Sequence, residues 1–276
     1  MTRSPAGRAG SPADIHYRVE MVNLHAHLYQ VTLTIAQPAA QQHVQLPAWI
    51  PGSYLVREFA KNLQNLRANQ SGRAVELQQL TKARWQVDCT AHAPLELQYE
   101  VYAFDNSVRT AWLDATRGFF NGTSLFLMVE GQQDKTHTVD LVACTDSPQW
   151  KVATGLPPVR TDKRGFGRYS ASNYDMLADC PVELGDFWEG RFQACGIPHR
   201  FVVAGAPPSF DGTQLLKDTQ TICEEGIRFW HGKNYKNNST SRTTGGGKGP
   251  IPFQNYLFIL NATHDGYGGL ENRNST

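Results

Sequence analysis

Residues able to do chemistry are sparse in this chain, and the most suggestive group stands near its carboxyl end, in Asn261-Ala-Thr-His-Asp-Gly-Tyr-Gly-Gly-Leu-Glu-Asn-Arg-Asn-Ser-Thr276. An apolar segment, Tyr256-Leu-Phe-Ile-Leu260, precedes it and reads as a strand. Glycines at 266, 268 and 269 strip side chains from one short run, so a ligand's backbone can approach and pair with the N–H and C=O groups. Glu271 then stands where a positive amine would arrive, and an ammonium leaving water needs such a charge-assisted partner. The competing reading is a plain turn after a strand, with Asp265-Gly266 at its corner, and composition by itself favours the turn.

Other chemistries fail on spacing. An α/β serine hydrolase needs Gly-x-Ser-x-Gly on a strand-to-helix elbow, and neither Gly52-Ser53-Tyr54 nor Thr123-Ser124-Leu125 fits. A metallohydrolase needs histidines one helical turn apart with a carboxylate as base, yet none of the nine histidines is four residues from another. His25 and His27 would share one face of a strand, and a solvent-facing pair is the favoured reading. Glu183, Asp186 and Glu189 read as surface carboxylates, since acid/base work needs a cleft and a perturbed pKa. Gly245-Gly-Gly-Lys-Gly249 resembles a phosphate loop only in part. Arg242 replaces the first glycine, Gly249 replaces the hydroxyl residue, and a strand follows rather than a helix, so a linker is expected. No catalytic residue and no metal ligand is assigned within the chain.

The elements that must position the glycine segment are mostly strands. From Ile15 to about Ala103 apolar residues recur at period two, as in Tyr17, Val19 and Met21 and in Leu28-Tyr-Gln-Val-Thr-Leu-Thr-Ile35. Trp85-Gln-Val87 and Leu95-Glu-Leu-Gln-Tyr-Glu-Val-Tyr102 repeat the alternation between turn signals such as Asn69-Gln-Ser-Gly72. Further strands are expected at Ser124–Val129, Thr138–Val142, Gly167–Ser170 and Phe187–Phe192. Phe59, Leu63 and Leu66 fit a helical face as well as a strand. The expected fold is mainly β: a flexible tail over 1–13, then an antiparallel, sandwich-like domain over 14–190. Over 191–276 the texture becomes the opening of an α/β domain: strand Pro198–Ala204, helix Asp211–His231 ended by Gly232, a polar loop at 232–250, then Tyr256–Leu260.

At 276 residues, with 40% hydrophobic and 11% aromatic residues, the chain can bury a core. A net charge of +1 supplies no field to recruit nucleic acid or an anionic membrane. No apolar run is long enough to span a bilayer, and the amino terminus has charge without an apolar h-region. Five cysteines, odd in number and without Cys-x-x-Cys, point to reduced thiols in a cytoplasmic protein.

Six ordered blocks give the chain a resemblance. Pro47-Ala-Trp-Ile-Pro-Gly-Ser-Tyr-Leu-Val-Arg-Glu-Phe59, Tyr102-Ala-Phe-Asp-Asn-Ser-Val-Arg109 and Asp114-Ala-Thr-Arg-Gly-Phe-Phe-Asn-Gly-Thr-Ser124 lie in the β region. Pro181-Val-Glu-Leu-Gly-Asp186, Gly196-Ile-Pro-His-Arg-Phe201 and Asp265-Gly-Tyr-Gly-Gly-Leu-Glu271 follow. Together they resemble the glycyl aminopeptidase family of zinc metallopeptidases over about residues 14–276. The resemblance implies an amino-terminal β domain, then a thermolysin-like catalytic domain with His-Glu-x-x-His, then a PDZ-like domain. Of these it covers the first and the opening of the second. It also implies an edge strand at Gly268 and Gly269 that holds a peptide backbone, and an anchor at Glu271 for the peptide's free amine. Asn272 departs from the family's usual His.

The expected function is thus the front part of a zinc aminopeptidase acting on peptides with a free amino terminus. Zinc belongs to the complete enzyme. This chain, lacking His-Glu-x-x-His, is expected to bind none and to be inactive alone. The alternative is a non-catalytic β-sandwich module that binds peptide or serves as a scaffold.

Overall fold

The period-two segments become strands with one buried face. The computed structural model describes residues 14–90, 92–232, 251–264 and 268–276. The tail over 1–13, the Gly245–Gly249 run and the Asp265-Gly266 corner lie outside the described residues.

In chain order the first strands are β1 (Ile15–Asn23), β2 (Leu28–Ile35), β3 (Gln41–Gln45), β4 (Leu63–Gln70), β5 (Arg73–Val75), β6 (Leu77–Thr81), β7 (Arg84–Asp88) and β8 (Leu95–Tyr102). Next come β9 (Ala111–Leu113), β10 (Arg117–Phe120), β11 (Met128–Val129), β12 (His137–Leu141), β13 (Lys151–Thr154), β14 (Pro158–Thr161), β15 (Gly167–Ala171) and β16 (Val182–Gly185). Then follow β17 (Trp188–Ala194), β18 (Ile197–Ala204) and β19 (Tyr256–Asn261). The α-helices are α1 (Gly122–Leu125), α2 (Tyr174–Ala178) and α3 (Gly212–His231).

The largest sheet has eight strands in the order β14-β15-β12-β1-β2-β8-β4-β5. Its inner strands β2 and β8 pair antiparallel, registered Leu33 to Leu97, with Tyr29, Val31, Leu33 and Ile35 of one strand and Leu95, Leu97, Tyr99 and Val101 of the other buried. Two four-stranded sheets, β13-β16-β10-β9 and β11-β3-β7-β6, close over the same apolar core. The fold is mainly β and mostly antiparallel, interrupted by parallel pairs β1 with β12 and β18 with β19.

One parallel pair explains the change of texture near the carboxyl end. Parallel neighbours require a crossover, and α3 lies in the connection from β18 to β19. Asp211 caps the helix by accepting the Gln214 N–H at 2.9 Å, and Gly232, at φ 77°, ends it. The three-stranded sheet β17-β18-β19 has its own small core of Ala153, Phe187, Val202, Ala204 and Leu257. Strand β17 runs through position 190, so the passage from one sheet to the next falls between Gly185 and Trp188.

Two segments differ from or refine the expectation. Phe59–Asn62 forms a 3-10 turn and Leu63 begins β4, which accounts for both periodicities seen there. Ser124–Val129 is not one strand: α1 ends at Leu125 and β11 begins only at Met128. A continuous apolar run satisfies a buried helix or a buried strand equally, and here the backbone is irregular inside the core. Its carbonyls are satisfied by tyrosine hydroxyls: Tyr99 donates to Leu125 at 2.6 Å, Tyr174 to Phe126 at 2.7 Å and Tyr17 to Leu127 at 2.7 Å. Buried backbone without such partners would cost several times what each bond contributes.

Candidate substrate-holding site

Leu270 fixes the glycine segment to the β domain. It is buried and joins the main core, while Gly268, Gly269 and Glu271 around it remain exposed. Gly52, at φ +81°, lies against it: a Cβ there would stand 2.8 Å from Leu270 Cδ1 and 3.9 Å from the Glu271 carbonyl. Only glycine meets both the left-handed backbone and the close approach at that position. Beyond Leu270, the Arg273 N–H donates to Asp179 Oδ2 at 2.9 Å and Asn274 Nδ2 to the Gly155 carbonyl at 3.0 Å. Residues 274–276 lie along β19, with the Leu257 N–H on the Asn274 carbonyl at 3.0 Å and the Ile259 N–H on the Thr276 carbonyl at 2.7 Å.

A second clamp comes from the loop between β8 and β9. Arg109 Nη2 donates to the Gly269 carbonyl at 3.1 Å, and Val108 is the nearest side chain to the Cβ position of Gly268, at 3.6 Å. Among the described residues no atom stands within 4 Å of a Cβ placed on Gly269, so this face of the segment is open to them. Asn121 holds the loop from beneath, its Nδ2 donating to the Val108 carbonyl at 2.8 Å.

Between this loop, the glycine segment and the sheet of β18 and β19 lies a pocket of about 210 Å³. Phe119, Phe201, Phe258 and Leu260 give it an apolar floor, and Asn106, Arg117, Asn261 and Asn272 bring polar groups. Asn106 Oδ1 accepts from Arg117 Nη1 at 2.9 Å and from Asn261 Nδ2 at 3.1 Å. Gly268 and Gly269 line the pocket and Glu271 does not. The Gly268–Glu271 backbone is not paired as a strand in this structure.

Glu183 corrects the expectation of a surface carboxylate. It is fully buried, with its oxygens 2.9 Å from Arg117 Nε and 2.7 Å from Arg117 Nη2. The reason is topological: β16 is an inner strand between β13 and β10, and Arg117 pairs across from Gly185, which leaves Glu183 diagonally opposite it. Burial pushes the Glu183 carboxyl above its ordinary value while Arg117 opposes the shift. Glu189 is also only partly exposed; burial opposes its ionisation, but Arg200 and Arg191 outweigh that and hold it below the usual range. Asp186 is exposed, as expected.

The histidine pair lies in the turn between β1 and β2 and not on a strand face. His25 is exposed, whereas His27 stacks 3.9 Å from Phe104 and bonds the Leu113 carbonyl through Nδ1 at 2.6 Å. Among the described residues no group of three or more His, Cys, Asp or Glu is placed to hold a metal ion. The described residues therefore do not make a three-ligand zinc centre. Arg109, Arg117 and Asn106 were not singled out from sequence as site residues. They stand in the Tyr102–Arg109 and Asp114–Ser124 blocks, and that membership was the available signal.

The mainly-β sheets and the strand, helix, strand unit that follows them form a fold shared with a solved aminopeptidase N family protein. The crystal structure of an aminopeptidase N family protein from Idiomarina loihiensis is 40% identical, with a TM-score of 0.85 over 95% of this chain and 41% of that one. Native yeast LTA4 hydrolase shares the fold at 13% identity, with a TM-score of 0.51 over 95% of this chain and 40% of that one. The fold class is thus the one these structures share, and the chain spans under half the length of either. More particularly, the model of the Peptidase M61 N-terminal domain matches residues 16–186, and the chain belongs to that family. No curated protein matches it.

Proposed function

We propose that this chain is the substrate-holding front part of a metallo-aminopeptidase, with Gly268 and Gly269 receiving a peptide backbone and Glu271 its free amine. The observation that carries the reading is the clamp: buried Leu270 and the Arg109 bond fix the segment while Gly269 and Glu271 face outward. The 40% identity to an aminopeptidase N family protein supports it. Glycyl preference, and zinc as the metal of the complete enzyme, extend the same reading, while among the described residues no group of three or more His, Cys, Asp or Glu could hold the ion. Alone, the chain is read as inactive. A cytoplasmic setting agrees with five unpaired cysteines, and among the described residues no helix is long and apolar enough to cross a membrane. Its modest charge supports a peptide rather than a nucleic acid as partner.

Calorimetry with Ala-Gly-Gly amide and its N-acetylated form tests the site. The free amine is expected to bind about tenfold tighter, and Glu271→Gln to abolish that difference. Equal binding of both peptides to the wild type sinks the assignment of Glu271. Purified 1–276 is expected to release no amino-terminal glycine, and chelator-sensitive turnover would overturn the inactive reading. Glu271-dependent binding without hydrolysis by any longer form of the protein would favour the non-catalytic module.

A further inference from the structure

Beside the glycine segment stands a loop whose apolar side chains face water. Tyr54 is 99% exposed, Val56 64%, Leu55 63% and Trp49 50%, all within the connection between β3 and the turn at Phe59. Single exposed apolar residues are ordinary, but a run of them on one loop marks a contact surface. The loop is also rigidly built. Trp49 Nε1 donates to the Ser53 carbonyl at 2.8 Å, and the Arg57 N–H closes the base on the Ala48 carbonyl at 2.7 Å. The Ser53 hydroxyl, itself buried, donates to the Leu55 carbonyl at 3.0 Å and accepts from Arg57 Nε at 3.2 Å. Ile50 is fully buried beneath. The backbone of the loop is therefore anchored on its inner side, and the side chains of Tyr54, Leu55 and Val56 face solvent.

Position decides what the surface would meet. Gly52 touches Leu270 and lies near the Glu271 carbonyl, and Tyr54 is two residues, about 7 Å of chain, further on. A peptide with its amine at Glu271 would bring one of its first two side chains against this loop. Resting on the proposed amine anchor, we infer that Trp49, Tyr54, Leu55 and Val56 form a selecting wall for an apolar side chain in the first two residues of the peptide. Aromatic rings and branched aliphatics give large contact area at small entropic cost, which suits a wall of this kind. The chemistry recognised is a peptide with a free amine and a large apolar residue in one of its first two positions, a reading compatible with an amino-terminal glycine when that residue is the second.

The test uses the full chain with Gly-Gly, Phe-Gly and Gly-Phe amides, each free and N-acetylated. One of the two Phe peptides is expected to bind about tenfold tighter than Gly-Gly. The double variant Tyr54→Ser, Leu55→Ser should erase that advantage and leave Gly-Gly affinity unchanged. Its surface location keeps the fold intact, which an unchanged Tm confirms. Retention of the Phe advantage in the variant overturns the wall, as does an equal loss for all peptides. Acetylation separates the two readings: if acetylated peptides bind as well as free ones yet the variant still loses the Phe advantage, the wall stands and the amine anchor falls. Self-association of the wild type that disappears in the variant would assign the patch to a second copy of the chain and overturn the wall. No binding by any of the six peptides at millimolar concentration overturns both.

Discussion

Glu183 is buried with no route to water, and its carboxylate depends on the Arg117 fork for both of its close bonds. Such a pair adds little net stability over well-packed apolar residues, yet losing one partner strands the other charge. Glu183→Gln should therefore destabilise the chain by roughly 3–5 kcal/mol in urea unfolding, whereas Glu183→Leu with Arg117→Met should recover most of the loss. Since Arg117 also holds Asn106 at the pocket, Glu183→Gln is expected to weaken peptide binding too. A glutamate flanked by valine and leucine gave no hint of this in the sequence, because the partner lies 66 residues away.

The stretch from Leu125 to Leu127 shows the same point at the scale of an element. Its apolar residues announce burial but not conformation, and the hydroxyls that satisfy its carbonyls come from β1, β8 and α2. Burial raises the pKa values of all three hydroxyls above the ordinary range, so each remains a donor at neutral pH. Tyr174→Phe and Tyr17→Phe each leave one carbonyl without its donor and should cost about 1–3 kcal/mol, read as a lowered denaturation midpoint at unchanged slope. By contrast β2, β8 and α3 were legible almost to the residue. Each satisfies its own periodicity and, for the helix, its own cap, without help from distant segments.

For the whole molecule, acid should be the disruptive direction. His137 and His199 are buried, and burial lowers both pKa values from the usual 6.5 despite backbone bonds to Lys135 and Ile197 that oppose the shift. The folded chain then binds fewer protons than the unfolded one just below pH 6.5, so the stabilisation is full above that value and falls as pH drops toward the folded values. Thermal unfolding between pH 8 and pH 5 should show a constant Tm above about 7 and a decline below about 6.5. His137→Gln should shallow that decline, and an unaltered profile would remove His137 from the account. His137 is the simpler test because among the described residues its Nε2 has no hydrogen-bond partner to accept a new proton.

Sequence alone determined the strand faces, the change from β to α/β texture and the glycine segment with its carboxylate. Those features are local: a period of two or 3.6, a cap, or a run of small residues expresses itself wherever the chain goes. Tertiary structure alone decided that Leu270 enters the core beside Gly52, that Arg109 grips Gly269 and that Arg117 reaches Glu183. Those contacts join residues up to 218 positions apart, Gly52 and Leu270 being the widest. Their existence depends on sheet order and register, which arise from the packing of all the strands together and leave no periodic trace in any one segment.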